Sequence, residues 1–421
     1  MKKIAKIILA ILTRLTLKQF KPKIVGVTGS VGKTSTKDAV ALVLSSKFKV
    51  RASWENYNNE IGLPLSVLGG SNPKKNIVAW IWLVIKSLVR LFGSYPEILV
   101  LEFGADRPGD IAYLNNWVKK LDAAAITDIG VSHMEFYPSQ QALVKEKFAI
   151  AKIVVPSGVV ALNLDSPKVF DNRHLVSKPI SGFGFSQQAQ IRATDFNLLE
   201  SKEGWGVNFK IHHKGTVVPV FLPNTAGRPA VYAALAAAAV GLHFGLNLVD
   251  ISQALKKYQS PRGRLRIIAG IKHTIIIDDT YNAAPSSTIA ALDALKMVAA
   301  GRTLAALGSM AELGKAEEQG IAEVALKLLE AGVNGVFLVG QQADRMEKQL
   351  EAMKFSGKTW KFKTADEAGI PIQTELKPSD TILIKGSQAS RMEKIVKEIM
   401  AEPLAAPKLL VRQSSEWLDK M

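Results

Sequence analysis

Between Lys23 and Val40 the chain reads KIVGVTGSVGKTSTKDAV, which sets glycines, a lysine and paired hydroxyls at a turn from an apolar run into a helical pattern. Gly29 and Gly32 let backbone N–H groups turn toward phosphate oxygens around Ser30, and Lys33 reaches the terminal phosphates. Thr34 or Ser35 offers a hydroxyl to a magnesium ion, and the helix that begins there presents its positive end. A generic phosphate loop, G-x-x-x-x-G-K-[ST], would place its first glycine at position 27, where Val27 stands, so the loop is a shorter variant. A merely structural turn needs neither the lysine nor the hydroxyl pair, so nucleotide binding is the expectation.

Further residues carry chemistry only if the fold brings them to this loop. Glu102 ends the apolar run EILVLEFG, where an acidic residue is costly unless it holds a metal or meets a cation. Asp279 and Asn282, in DDTYNAAP, follow a strand and precede Pro285 at a first helical position, so they are expected at the strand's carboxyl end, facing a crevice. Arg264 is flanked by Arg262 and Arg266 and reads either as a planar cation swung in from beyond a hinge or as part of a surface basic cluster. Asn58 and Asn59 are adjacent polar residues in a turn.

The elements that must position these residues alternate apolar runs with helical patterns, as in a parallel α/β sheet. KIVGVTG, EILVLEFG and DAAAITDIG read as buried strands; from about Ser181 to Pro223 alternating residues and turn signals predict a small antiparallel addition. The alanine-rich PAVYAALAAAAVGLHFGL reads as a helix, YQSPRGRLRIIAG as a hinge, and TIIID, TLAALG, GVFLVG and DTILIKG as the strands of a second α/β unit. The expected organisation is an amino-terminal basic helix over 1–22, a central nucleotide-binding domain over 23–260 with an amphipathic insertion at 76–92, a Rossmann-like domain over 261–401 and a poorly patterned tail over 402–421.

Composition narrows the partners. The 421 residues are 48% hydrophobic and 22% charged, as in a well-cored globular protein, and the absence of cysteine excludes disulfides, thiolate metal sites and a cysteine nucleophile. The net charge of +17 favours a polyanion: nucleotide, nucleic acid or an anionic bilayer. On a helical projection of the amino terminus, Ile4, Ile8, Ile11, Leu12 and Leu15 share one face while Lys2, Lys3, Lys6, Thr13 and Lys21 gather on the other. NIVAWIWLVIKSLVRLF, Asn76 to Phe92, is a second amphipathic segment. Neither reaches the about 20 apolar residues that span a bilayer, so each either lies on a membrane surface or packs on the protein's own core.

The spelling from Thr28 to Ser35 resembles the ATP loop of the Mur ligases, which join amino acids or peptides to the bacterial cell-wall precursor. NYNNEIGLP, LEFGADRPGDI, TDIGVSHMEFY and VKEKFAI are similar to the family's central domain, and GRL, DDTYNAAPSS, LGSMAELG and IKGSQASRMEKIV to its carboxy-terminal domain, in the family's order. The last three blocks most resemble the branch that adds D-alanyl-D-alanine. The resemblance implies an ATP- and magnesium-dependent amide ligase that activates a muramoyl-tripeptide carboxylate as an acyl phosphate, in the cytoplasm, with no nucleic acid partner and as a monomer. It further implies magnesium ligation by Thr34 and Glu102, a second metal held by His133, and a carbamylated Lys147 bridging to metal. It assigns Arg264 to the transferred phosphoryl group, Asp279 and Asn282 to nucleotide and incoming substrate, and Asn58 and Asn59 to the acceptor or its phosphates. Against these stand blander readings: a lone histidine is more often structural, and the Lys145–Lys147 pair on a helix is usually a solvated face.

Departures from the pattern sit in the substrate-recognising parts. With only residues 1–22 before the loop, the family's uridine-diphosphate-sugar domain is expected to be absent; GRPA stands at 227–230 where G-x-H-N is usual, and Gly308, Ser309 and Met310 stand where G-D-M is usual. A folate polyglutamyl ligase spells its loop differently, and the branch paired with an amidotransferase carries a four-cysteine zinc ribbon that this chain cannot build. A non-catalytic nucleotide-binding membrane module is the competitor from another class, and amine-dependent ATP turnover separates it from an enzyme.

Overall fold

In β1 (Lys23–Thr28), β3 (Ile98–Glu102) and β4 (Leu121–Ile126) successive residues alternate between two apolar layers. Val25, Val27, Val100, Ala123 and Ala125 face one layer and Ile24, Leu99, Leu101, Ala124 and Ile126 the other. A strand that is apolar on both sides must be covered on both sides, which is the condition of a parallel sheet. The computed structural model describes residues 2–54, 57–73, 76–130, 136–201, 204–299 and 301–418.

The first sheet also contains β2 (Val50–Ala52), β5 (Val154–Asn163), β6 (Ile180–Gly184), β7 (Ile191–Ser201), β8 (Gly204–His213) and β9 (Thr216–Pro223). Its order is β2-β3-β1-β4-β5-β6-β7-β8-β9, parallel as far as β7 and antiparallel through β8 and β9. The antiparallel addition expected between Ser181 and Pro223 is therefore the edge of the main sheet. One face carries α1 (Lys2–Phe20), α3 (Gly62–Leu68), α4 (Ile77–Arg90), α5 (Asp110–Val118) and α6 (Gln140–Phe148); α2 (Lys33–Leu44), α8 (Arg228–His243) and α9 (Leu248–Leu255) cover the other, and the short α7 (Pro167–Asp171) follows β5. The alanines of α8 have a packing reason: a Cβ on Gly241 would lie 2.9 Å from Val43 of α2, so only small side chains allow the two helices this close.

The second sheet comprises β10 (Arg266–Ala269), β11 (Ile275–Asp279), β12 (Thr303–Gly308), β13 (Gly335–Val339), β14 (Lys358–Phe362) and β15 (Thr381–Lys385) in the order β10-β11-β15-β12-β13-β14. All pairs are parallel except β10 with β11. Helices α10 (Pro285–Val298), α11 (Glu317–Glu330), α12 (Ala343–Ala352), α13 (Ala365–Glu375) and α14 (Glu393–Ile399) sandwich it.

Three expectations are revised. Of the apolar face read on α1, Leu12 is buried but Ile8, Ile11 and Leu15 are exposed; the helix packs instead through Leu9, Leu12, Thr13 and Thr16. Periodicity marks that a helix has sides, while the shape of the layer beneath decides which side docks. Lys6, expected on the solvated polar face, forms an ion pair with Glu60, and the side chains of Lys2, Lys3 and Ile4 lie outside the described residues. The segment after Glu402 is folded: Ala406 and Leu410 are fully buried, and Arg412 donates to the carbonyls of Thr280 and Tyr281 at 3.0 and 2.6 Å. Its contacts are too irregular in spacing to appear as a pattern.

Candidate active site in the cleft between the two sheets

β1 lies between β3 and β4, so the loop after Thr28 emerges among the carboxyl ends of central parallel strands, where such sheets bind ligands. Two glycines are required there by geometry. Gly29 has φ 147° and a Cβ on it would collide with Thr127 Oγ1; Gly32 caps α2 at φ 85°, in the left-handed region. The turn is strapped to the β4 end by Ser30 N–H donating to Asp128 O and Thr127 Oγ1 to Val31 O, both at 2.6 Å. Lys33 Nζ curls over the loop and donates to the carbonyls of Gly29 and Ser30 at 2.9 and 3.2 Å. Burial lowers its pKa from the ordinary lysine value, with the nearby Glu102 opposing the shift. Ser30 Oγ is buried with no partner among the described residues, and with the first-turn amides of α2 it forms the donor set a nucleotide phosphate needs.

Glu102 ends β3 directly beside Val27 and is 2% exposed. It accepts from Thr34 Oγ1 at 3.0 Å and from Asn58 Nδ2 at 3.2 Å. A buried carboxylate met by a hydroxyl and an amide, both oxygen-bearing, suits a hard divalent cation such as magnesium. Asn58 is held close because Gly104 follows the strand: a Cβ there would lie 2.9 Å from the Asn58 side chain. Asn59 lines the same cleft and also shapes the turn beside it. Its Oδ1 accepts from the N–H groups of Ile61 and Gly62 and so turns the chain into α3. His133 lies outside the described residues, and among those described no three His, Asp or Glu side chains cluster as a metal site.

Lys147 is no solvated face. It sits on α6, 1% exposed, with Nζ donating to Ala105 O at 3.0 Å, behind the segment that follows Glu102. Burial first, and the Lys33 ammonium second, bring its pKa down to about 7. An amine that is half neutral near pH 7 is one that can add carbon dioxide.

The second sheet closes the other wall. Arg264 Nη2 donates to Thr34 Oγ1 at 3.3 Å across the cleft, and its guanidinium lies 4.1 Å from the centre of the Tyr281 ring. Of the two readings of Arg264, the planar cation facing the loop is the one that the geometry matches. Asp279 ends β11 and forms a buried ion pair with Lys385 at 2.5 Å; its other oxygen accepts from Leu265 N–H at 3.2 Å. Lys385 also donates to Asn282 O at 2.9 Å, so it orders the whole DDTYN turn. Arg412, held by Glu393 at 2.9 Å, fastens the same turn from behind.

Between the walls lies a cleft of about 430 Å³, lined from one side by Ser30, Lys33, Asn58 and Glu102 and from the other by Arg264, Asp279, Asn282 and Lys385. A cavity of about 240 Å³ adjoins it at Thr34, Arg264, Tyr281 and Trp417, and one of about 220 Å³ at Asn58, Asn59 and Asp106. The model of the Mur ligase middle domain matches residues 27–241 and that of the Mur ligase glutamate ligase domain residues 263–388. The chain belongs to the Mur ligase family.

Among curated relatives, this Mur ligase is 31% identical over 399 residues to the UDP-N-acetylmuramoyl-tripeptide–D-alanyl-D-alanine ligase of Bacillus subtilis, covering 94% of this chain and 79% of the relative. It is 27% identical to the Escherichia coli enzyme of the same name, covering 90% and 77%. Among solved structures, MurF from Acinetobacter baumannii superposes with a TM-score of 0.78 at 27% identity, covering 93% of this chain and 79% of that one. MurF from Thermotoga maritima in complex with ADP gives 0.76 at 26% identity, covering 93% and 82%. The α/β fold and ATP-dependent ligase class expected from the sequence are those of the family.

In this Mur ligase the fold gathers Lys33, Thr34, Glu102, Asn58 and Arg264 around one point, with Asp279 and Asn282 on the opposite wall; Lys147 lies just behind and Asn59 serves the turn beside it. Lys385 and Arg412 were not singled out from the sequence. Lys385 had a legible signal, since a lysine ending the apolar run DTILIK is as anomalous as a glutamate ending EILVLE. Arg412 had none.

Proposed function

We propose that this Mur ligase joins D-alanyl-D-alanine to the terminal carboxylate of a muramoyl-tripeptide, in the cytoplasm and as a monomer. A carboxylate oxygen of the tripeptide attacks the γ-phosphorus of ATP, the bond to the ADP oxygen breaks, and an acyl phosphate forms. The amine of D-alanyl-D-alanine then attacks the acyl carbon, loses a proton and expels phosphate. The observation that carries this reading is the contact of Arg264 with Thr34 beside Glu102, which sets cations from both sheets on one phosphate-sized space.

In this reading Gly29, Ser30, Gly32, Thr34 and Ser35 cradle the phosphates through backbone and hydroxyl groups, and Lys33 leaves the loop carbonyls to neutralise the β- and γ-phosphates. Thr34 and Glu102 would hold magnesium, which when bound would offset phosphate charge, while His133 and a carbamate on Lys147 would hold a second ion. The carbamate forms when the neutral Lys147 amine adds to carbon dioxide and releases a proton. Arg264 stabilises charge developing on the transferred phosphoryl group. Asn58 orients the acceptor, and Asp279 and Asn282 meet nucleotide and incoming dipeptide.

The test is ATP hydrolysis measured with tripeptide acceptor and D-alanyl-D-alanine, singly and together, with the product identified by mass. Turnover that needs both and yields the pentapeptide supports the reading. ATP hydrolysis indifferent to the amine would refute it.

A further inference from the structure

Helix α4 is built the wrong way round for a helix that only serves a core. Its protein-facing side is Leu83 and Ser87, with Trp80 and Val84 packed partly against the core, whereas Ile77, Ile81, Trp82, Ile85 and Val89 point to solvent, with Trp82 64% and Val89 67% exposed. The exposed residues recur every three to four positions and so form one continuous stripe. Phe92, just past the helix, is 94% exposed. Helix α1 packs on the same core layer, through Leu9 and Leu12, as Leu83 of α4 does. It too turns apolar residues outward: Ile7, Ile11 and Leu15. A contiguous apolar surface of this kind on a folded protein marks an interaction site.

Charge chooses the occupant. Neither α1 nor α4 contains an acidic residue. Arg14 and Lys18 stand exposed on the outward side of α1 among those isoleucines, and Lys86 is exposed on the flank of the α4 stripe. Apolar side chains flanked within both helices by cations and no acid suit a layer that is apolar below and anionic above. A second copy of the same face would set cation against cation. Among the described residues no helix is long and apolar enough to cross a membrane, so contact would be with the surface.

We propose that α1 and α4 together form a docking surface for an anionic lipid bilayer, with the α4 stripe inserted at the headgroup boundary and Arg14, Lys18 and Lys86 on the lipid phosphates. The surface is tied to the cleft, because Lys6 of α1 pairs with Glu60, beside the Asn58–Asn59 turn. Docking therefore holds the active cleft at the bilayer and raises the effective concentration of any acceptor carried there.

Flotation of the full chain with phosphatidylglycerol-containing and pure phosphatidylcholine vesicles, at low and high salt, tests this without reference to ligation. Binding is expected to the anionic vesicles and to weaken with salt. Arg14→Gln, Lys18→Gln and Lys86→Gln combined should lower the partition coefficient on the order of a hundredfold. Ile81→Ser with Trp82→Ser should lower it by a similar order while leaving ATP turnover in solution unchanged, since neither residue touches the cleft. No flotation on anionic vesicles at low salt, equal flotation on neutral ones, or a stable dimer dispersed by Ile81→Ser with Trp82→Ser would each overturn the proposal.

Discussion

The two walls of the cleft are made in different ways. On the first sheet, residues adjacent in the chain form a turn that neighbouring strand ends hold in shape: Thr127 and Asp128 grip residues 30 and 31, and Glu102 arrives beside Val27 by sheet register. On the second sheet, the wall depends on groups far apart in sequence. Lys385 holds Asp279 and Asn282, and Arg412 comes from the last turns of the chain to hold Thr280 and Tyr281. A turn strapped mainly by sheet register and strand-end hydrogen bonds tolerates the loss of one of its own side chains; a wall held by buried side-chain ion pairs does not. The first wall should thus fail only when its own chemistry is removed, and the second when its supports are.

The largest effect should come from the first wall. Lys33→Ala removes the phosphate cation and its bonds to the Gly29 and Ser30 carbonyls but leaves the straps to Thr127 and Asp128, so turnover should fall about a thousandfold or more while the melting temperature falls little. A large loss of stability would show that the loop is not preformed. On the second wall the order reverses. Lys385→Met leaves Asp279 buried without its cation and should cost about 3–5 kcal/mol of stability by denaturant titration, with Asp279→Asn in the same chain recovering much of it. If the single variant is as stable as the parent, the second wall does not depend on this pair.

Arg264→Ala distinguishes contact from catalysis. Turnover should drop about a hundredfold, with ATP affinity changed about threefold or less, because the guanidinium acts on charge that develops in the transition state. Equal losses in both would make it a ground-state contact. Lys147 lends a pH dependence to the first wall. Its pKa near 7 means that below pH 7 the amine is protonated and cannot add carbon dioxide, so turnover should fall about tenfold per pH unit there. Lys147→Ala should abolish that dependence and respond partly to added short carboxylates. The smallest expected effect is that of Arg412→Gln, about 1 kcal/mol in stability, accompanied by a rise in KM larger than the fall in kcat as the Tyr281 turn loosens. No change in either would leave the tail as packing alone.

Legibility in the sequence follows the same division. The phosphate loop could be read because its chemistry needs consecutive residue types, and Glu102 because a charge ending a buried strand has few explanations. The parallel strands around them were legible as apolar runs, and both layers of each could be inferred from the lack of alternation. Helix α1 was legible as amphipathic, but not which of its sides is buried, since an apolar stripe and a buried stripe coincide only when the helix packs where it is most apolar. Asn59 was placed at the site by type and does line the cleft, but that its Oδ1 also holds the turn into α3 was not legible. The ordered tail was invisible, because Ala406, Leu410 and Arg412 make contacts that no local period announces.

By itself, then, the sequence determined the phosphate-binding turn, the two α/β units and the residue types able to neutralise a phosphate, because these follow from local backbone geometry, hydrophobic patterning and the cost of isolated charge. Tertiary structure alone decided that Arg264 reaches Thr34, that Lys147 is buried enough to lose its proton near pH 7, that Lys385 neutralises Asp279, and that the apolar stripe of α4 faces outward. Each of these depends on distance and solvent access between residues far apart in the chain, and those quantities exist only once the layers have packed.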